Sequence, residues 1–124
     1  MLFLFNTTIM PNAGVYINKK ASLDEAKSIL QGIWKVPDAD KAPYKEGYQG
    51  LTSAIGHQGS ADAFNALFPF LDCEVNRIHA VMQPGDEAIA LKVIGRITEG
   101  QILTLEALNE VGFEFYHIKM IENA

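Results

Sequence analysis

The stretch from Leu51 to Leu67 constrains the fold more than any other part of this 124-residue chain. It begins as an apolar run typical of a β-strand, breaks at Gly56, and continues from Ser60 with a pattern typical of a helix. A strand that turns into a helix places free backbone N–H groups and the positive end of the helix dipole at the turn. His57 lies in this turn, where an imidazole can exchange protons with a phosphate bound by the helix. The alternative is a glycine-rich turn in which the histidine is packed or solvated, and one histidine alone favours that alternative.

The composition predicts one domain with a real hydrophobic core. The chain is 48% apolar, and its net charge is −5, from 10 basic and 15 acidic side chains. An acidic chain is poorly suited to gripping long DNA or RNA, although a local pocket can still hold a small anion. Cys73 is the single cysteine, which excludes an internal disulfide and fits a reducing compartment. The apolar start at residues 1–5 is too short for a signal peptide and no run has membrane-spanning length, so we expect a cytoplasmic protein of a host or virus-infected cell.

Strand-like and helix-like patterns alternate along the chain. The predicted strands cover residues 2–7, 15–17, 51–55, 73–81, 87–94 and 113–121, and the predicted helices cover 22–32, 60–67 and 104–110. Ser22 and Glu25 have the spacing of a capping box, which marks the start of the first helix. Residues 34–50 contain two prolines, two glycines and mixed charges, which predicts a loop or an extended hairpin.

The three histidines limit the possible chemistry. His57, His79 and His117 lie on separate predicted elements without a metal-binding spacing, so we expect no zinc or di-metal site. The hydrolase elbow, the P-loop and the dinucleotide-binding glycine motif are all absent from the sequence. His79 and His117 fall in alternating strand patterns and are interpreted as packed or rim side chains. Cleavage of an RNA phosphodiester by its own 2′-OH remains compatible, because it needs only in-line geometry, donors for the developing charge and an acid for the 5′-oxygen.

Six short segments carry a resemblance to a known family. They are Asn6–Pro11, Ser53–His57, Val75–Ile78, Pro84–Ala88, Gly95–Gly100 and Gly112–Phe115. In this order and spacing the chain resembles, nearly end to end, the small viral and bacterial ring nucleases that act as type III anti-CRISPR proteins. The resemblance implies an α/β (mixed α+β) fold with a single domain over residues 1–124. It further implies a mixed β-sheet of about five strands flanked by helices, and a homodimer with a ligand cleft at its interface.

The same resemblance implies an activity. The family binds cyclic tetra-adenylate, the second messenger of type III CRISPR effectors, and cleaves it by 2′-OH attack without a metal or cofactor. The products are linear di-adenylates with 2′,3′-cyclic phosphate ends, and their formation switches off the nucleases that the messenger activates. The implied partners are cyclic tetra-adenylate and a second copy of the chain, with no long nucleic acid and no membrane.

Individual residues take roles from this resemblance. His57 corresponds to the general acid, Arg96 to a phosphate-binding arginine, and Glu99 to a loop glutamate that orients the histidine. The loop of residues 95–101 corresponds to a lid over the ring. The implied ligand-binding residues are Asn6, Thr8, Gly56, Gly59, Ser60, Arg77, Lys92 and Arg96. Plainer interpretations exist: a solvated pair of Arg96 with Glu99, a charge pair of Arg77 with Glu74 or Asp86, and an Asn6 that only ends the first strand.

The chain also departs from the family pattern. Gln58, Gly59 and Ser60 stand where the family usually has an acidic residue, a serine and a threonine, so a hydroxyl that would donate to phosphate is missing at Gly59. Ile9 replaces a serine of some members, and Lys92 replaces a glutamine. These differences leave open a second function, the binding of a cyclic nucleotide without cleavage. A third function, a dimeric structural or regulatory protein with no anionic ligand, is also open.

Overall fold

The five strands of the sheet do not follow one another in chain order. A computed structural model describes residues 2–33, 51–71, 73–96 and 104–123. In these residues the strands are β1 (Leu2–Phe5), β2 (Gly14–Ala21), β3 (Leu51–Ser53), β4 (Glu87–Val93) and β5 (Phe113–Asn123). The helices are α1 (Leu23–Ile33), α2 (Gln58–Leu67) and α3 (Leu105–Val111). The strand order is β2-β5-β4-β1-β3.

Parallel and antiparallel pairs are both present, which confirms the predicted mixed sheet. β1 runs parallel to β3 on one side and to β4 on the other. β5 runs antiparallel to β4 and to β2. The predicted α+β fold in one domain is therefore correct. None of the helices in the described residues is long and apolar enough to cross a membrane.

A first hydrophobic core lies between the helices and one face of the sheet. Leu4 of β1, Leu91 of β4 and Phe115 of β5 pack against Phe64 of α2 and Leu30 of α1 in this core. The rings of Phe64 and Phe115 are 6.2 Å apart in an edge-on arrangement that favours contact between aromatic side chains.

A second, smaller core lies on the opposite face. Phe3 and Phe5 of β1 and Ala88 of β4 are covered there by Ala80 and Met82. β1 is therefore buried on both faces, as its uninterrupted apolar sequence predicted.

The predicted start of α1 is confirmed in detail. The Glu25 backbone N–H donates to the Ser22 hydroxyl at 3.1 Å, and the Ser22 backbone N–H donates to the Glu25 carboxylate at 3.2 Å. Thr104 caps α3 in the same way, by accepting from the Ala107 backbone N–H at 3.1 Å. Gly112 ends α3 with a φ of 83°, the left-handed conformation for which glycine is suited.

Other element boundaries differ moderately from the predictions. β2 has eight residues where three were predicted, and α2 begins at Gln58 rather than at Ser60. The predicted loop or hairpin at 34–50 lies outside the described residues.

The predicted strand at residues 73–81 is wrong. Residues 73–83, which we call the strap, form no strand but cross from one face of the sheet to the other. Cys73 belongs to the first core, whereas Ala80 and Met82 belong to the second. A segment that crosses from one face of the sheet to the other cannot keep a continuous ladder of backbone hydrogen bonds with one strand. Asparagine side chains bind its backbone instead: Asn65 binds both backbone groups of Cys73, and Asn12 binds both backbone groups of Met82.

Candidate functional site

The candidate site lies where three parallel strands end. Asn6 and Thr8 follow β1, His57 follows β3, and Arg96 follows β4. Because β3, β1 and β4 are neighbours and parallel, their following loops meet at one edge of the sheet. The carboxyl ends of parallel strands are the usual place for ligands in open sheets of this kind. The topology thus brings loops from separate parts of the sequence to one edge of the sheet.

A cleft of about 350 Å³ opens at this edge. Its lining in the described part of the chain consists of His57, Ser60, Val93, Gly95 and Arg96. One wall is therefore the start of α2 and the other wall is the end of β4. The volume falls within the range of small-molecule sites, and the exposed imidazole and guanidinium supply polar groups on both walls.

His57 is the N-cap residue of α2, but it does not cap the helix with its side chain. Its backbone is extended, with φ −126° and ψ 125°, and its carbonyl accepts from the N–H groups of Ser60 and Ala61, both at 3.2 Å. The imidazole forms no capping hydrogen bond and is exposed. The backbone N–H groups of Gln58 and Gly59 have no acceptor within the helix, since they belong to its first turn. The start of α2 therefore keeps donors and a partial positive charge available to an anion.

The strap holds the turn that contains His57. The Asn76 backbone N–H donates to the Ile55 carbonyl at 2.8 Å, and the Arg77 Nε donates to the Gly56 carbonyl at 3.0 Å. Arg77 is exposed and is not among the residues that line the cleft. Gly56 has no left-handed backbone, and among the described residues an added methyl group would meet the Arg77 side chain alone, at 3.6 Å. The turn therefore depends on hydrogen bonds from the strap more than on the freedom of a glycine.

Gly95 fixes the opposite wall by close packing. Its backbone N–H donates to the Val111 carbonyl at 2.9 Å, and a Cβ at this position would lie 2.8 Å from the same oxygen. Only a residue without a side chain allows the segment after β4 to pass so near the end of α3. Arg96 follows directly and lines the cleft.

Lys92 is separated from the cleft by the sheet. Side chains alternate along β4, which places Lys92 on the face of Ala88 and Ala90, whereas Val93 lines the cleft. Lys92 is paired in register with Glu114 of β5.

Glu114 belongs to a polar cluster on that face. The Tyr116 hydroxyl donates to its carboxylate at 2.7 Å and the Lys20 ammonium lies 3.1 Å away. The Tyr116 hydrogen bond, with smaller effects of Lys20 and Lys92, holds the pKa of Glu114 below its ordinary value. Lys92 thus acts on this cluster rather than on the residues that line the cleft.

The other predicted site residues differ in position. Gly59 lies in the first turn of α2, and Asn6 and Thr8 are half-buried in the loop after β1 without lining the cleft. Glu99 and most of the predicted lid lie outside the described residues. His117 bonds to Glu87 at 2.8 Å, as expected for a structural histidine.

Asn76 and Val93 were not predicted as site residues. Val93 has an ordinary strand pattern, so its place in the cleft follows from topology alone. The sequence pattern did mark Asn76, because a polar amide within an otherwise strand-like run needs a hydrogen-bond partner when it is partly buried. Among the described residues, no group of three or more histidine, cysteine, aspartate or glutamate side chains could hold a metal ion.

Comparisons with known proteins identify the family. The sequence profile of the STIV B116-like family matches residues 2–115. "Uncharacterized protein ORF117" of Acidianus two-tailed virus is 34% identical over 126 aligned positions, which cover 98% of this chain and 95% of the viral protein. "Uncharacterized protein 26" of Sulfolobus islandicus filamentous virus is 22% identical and covers 98% of this chain and 92% of that protein.

A solved structure shares the fold of this chain. B116 of Sulfolobus turreted icosahedral virus (STIV) matches with a TM-score of 0.74 at 20% identity, over 95% of this chain and 97% of B116. At this identity the likeness shows the fold, and it agrees with the five-stranded mixed sheet described above. The chain therefore belongs to the STIV B116-like family.

Proposed function

We propose that this protein is a metal-independent ring nuclease that binds cyclic tetra-adenylate and cleaves it, and so switches off type III CRISPR signalling. The observation that carries the proposal is the cleft shared by His57, Ser60 and Arg96 at the open start of α2. A cleft with an imidazole, a guanidinium and free helix N–H groups suits a phosphodiester better than a neutral ligand. The relatives named above are viral proteins, which fits a role in counter-defence.

The proposed reaction is an internal transesterification. The 2′-hydroxyl of one adenosine loses its proton to solvent water as its oxygen attacks the neighbouring phosphorus, and the bond from phosphorus to the 5′-oxygen breaks. Arg96 and the N–H groups at the start of α2 stabilise the charge that develops on the phosphoryl oxygens. His57 donates a proton to the leaving 5′-oxygen. The products carry a 2′,3′-cyclic phosphate and a 5′-hydroxyl, and two such cuts convert the ring into two di-adenylates.

The size of the cleft supports a dimeric site within this proposal. A space of about 350 Å³ suits one part of a four-nucleotide ring rather than the whole ring. Two copies related by a two-fold axis would present two histidines to a ring that has compatible symmetry. Ligand uptake by a dimer is therefore part of the proposal.

A second candidate, binding without cleavage, rests on the first turn of α2. The Gln58 amide donates to Asp62 at 2.9 Å and is engaged along the helix, while Gly59 has no side chain. Ser60 then supplies the one hydroxyl of this turn that lines the cleft. A site with fewer donors to the phosphate can retain the ring yet stabilise the transition state poorly.

The deciding experiment is product analysis with cyclic tetra-adenylate in the presence of a chelator. The wild-type protein is compared with His57→Ala and with His79→Ala, a control that removes an exposed histidine from the strap. We expect linear di-adenylate from the wild type and the control, and a loss of roughly 10²-fold or more in His57→Ala. An intact ring with a ligand-dependent rise in Tm would support the binding protein instead. Neither cleavage nor stabilisation would reject both functions.

A further inference from the structure

The turn before His57 is bound to the strap by consecutive hydrogen bonds. The Asn76 side chain donates from Nδ2 to the Ser53 carbonyl at 2.9 Å, and the Asn76 backbone N–H donates to the Ile55 carbonyl at 2.8 Å. Arg77 adds the bond to the Gly56 carbonyl at 3.0 Å. Asn76 thus binds the backbone at two places: at Ser53, the last residue of β3, and at Ile55, the residue before Gly56 and His57.

Among the described residues, none gives the His57 side chain comparable support. It is exposed, and no hydrogen bond or ion pair joins its imidazole to another described residue. The place of the imidazole in the cleft therefore depends on the backbone path of the preceding residues. The bonds of Asn76 and Arg77 to three carbonyl groups hold that path. The Ala54 N–H, which donates to the Leu4 carbonyl at 2.9 Å, and the Ser53 hydroxyl, which donates to the Glu74 carbonyl at 2.8 Å, hold it as well.

We propose that Asn76 is a positioning residue, which fixes the backbone before His57 so that the imidazole stands over the cleft. This inference rests on the proposed function for its kinetic consequence. Removing the amide would leave the Ser53 carbonyl without its side-chain donor and would let the turn relax. A displacement of a general acid by about 1 Å can cost on the order of 10²-fold in rate while the ligand still binds.

The chain offers a matched control at the other end of the strap. Asn12 donates from Nδ2 to the Met82 carbonyl at 2.9 Å and accepts from the Met82 backbone N–H at 2.8 Å. Asn12→Ala therefore removes the same type of amide support from the same segment, but far along the strap from His57. The two variants separate a loss of stability from a loss of positioning.

The experiment compares Asn76→Ala and Asn12→Ala with the wild type under saturating cyclic tetra-adenylate. We expect kcat of Asn76→Ala to fall by about tenfold to a hundredfold, with KM changed by less than about threefold. Asn12→Ala should keep kcat within about twofold of the wild-type value, even if its Tm falls as much as that of Asn76→Ala. If Asn76→Ala fails to fold, Asn76→Ser keeps a hydroxyl donor and takes its place. Equal kcat losses in the two variants would overturn the inference.

A second readout does not depend on activity. Amide hydrogen exchange at Ala54 and Ile55, whose N–H groups donate to the Leu4 carbonyl and the Ser53 hydroxyl, should accelerate in Asn76→Ala and remain as in the wild type in Asn12→Ala. Unchanged exchange at these amides in Asn76→Ala would also reject the inference. If the wild type cleaves no ring, the proposed function fails, and the exchange data alone then decide whether Asn76 holds the turn.

Discussion

The helices α1 and α2 begin in opposite ways. At α1, Ser22 and Glu25 satisfy each other's backbone N–H groups through a reciprocal capping box. At α2, the N-cap residue is His57, whose side chain accepts no capping hydrogen bond and is exposed at a cleft. Serine, threonine, asparagine and aspartate are the usual N-cap residues, and histidine is not one of them.

The difference shows where the chain gives up local stability. A capped helix start has donors that are used within the protein, as at α1, and contributes to folding. An open start such as that of α2 leaves its donors for another acceptor, which is what an anion site requires. Departures from local rules of this kind are expected at functional sites, so α2 is where we expect the ligand.

The largest expected effect on ring cleavage comes from His57→Asp, which would cap the open start of α2. An aspartate at the N-cap can accept from the backbone N–H of Gly59 or Ser60, which should raise the free energy of unfolding by about 0.5–1 kcal/mol. The same change removes the proposed acid and places a negative charge beside the phosphate, so activity should fall by roughly 10²-fold or more. Denaturant unfolding and ring cleavage are measured on the same sample. A variant that is less stable than the wild type and still cleaves the ring would contradict both expectations.

A smaller effect on the activity of the site, with a larger effect on stability, is expected from the wall opposite α2. Gly95→Ala would place a Cβ about 2.8 Å from the Val111 carbonyl oxygen, so β4 and α3 would have to move apart. We expect a loss of about 1–3 kcal/mol in the free energy of unfolding, as for other overpacked sites, together with weaker ligand binding because Arg96 is adjacent. The matched control is Gly85→Ala, where no atom of the described residues lies within 4 Å and the left-handed φ of 95° opposes the change. Weakened binding in the control but not in Gly95→Ala would contradict this role of the wall.

The capped start of α1 should respond in the opposite manner to that of α2. Ser22→Ala removes the acceptor of the Glu25 backbone N–H and should cost about 1 kcal/mol in the free energy of unfolding. Ring cleavage should stay unchanged, because α1 contributes no residue to the described lining of the cleft. Urea unfolding and the cleavage assay check both expectations, and a cleavage defect at full folding would contradict them.

The smallest expected effect is the acid response of the same capping box. The backbone N–H of Ser22, then its hydroxyl, holds the pKa of Glu25 below the ordinary value of 4.5. A lowered pKa in the folded state means that Glu25 stabilises the protein above about pH 4.5, and that this contribution is lost as pH falls through the folded pKa. Urea unfolding of the wild type and Glu25→Gln at several pH values should give a stability difference that shrinks on acidification. A difference that is constant with pH would contradict the role of the charge.

Much of the fold could be predicted because local patterns agree with it. The capping box of Ser22 with Glu25, the apolar run of β1 and the alternating β5 each specify one element by spacing alone. The strap could not be predicted in this way. Its alternation resembles that of a strand, but Asn12, which binds Met82 near one end of the strap, lies 70 positions away in the sequence.

The features of the candidate site also fall into two groups: those that local sequence patterns predict and those that only the tertiary structure reveals. The sequence alone determined that the chain has a strand–turn–helix unit with His57 in the turn, because glycine and apolar spacing are local properties. Only the tertiary structure decided that Arg96 joins His57 in one cleft while Lys92 does not. That outcome depends on β3, β1 and β4 lying side by side and parallel, and on the alternation of side chains across β4. Strand order is a property of the whole sheet, and no spacing within one segment carries it.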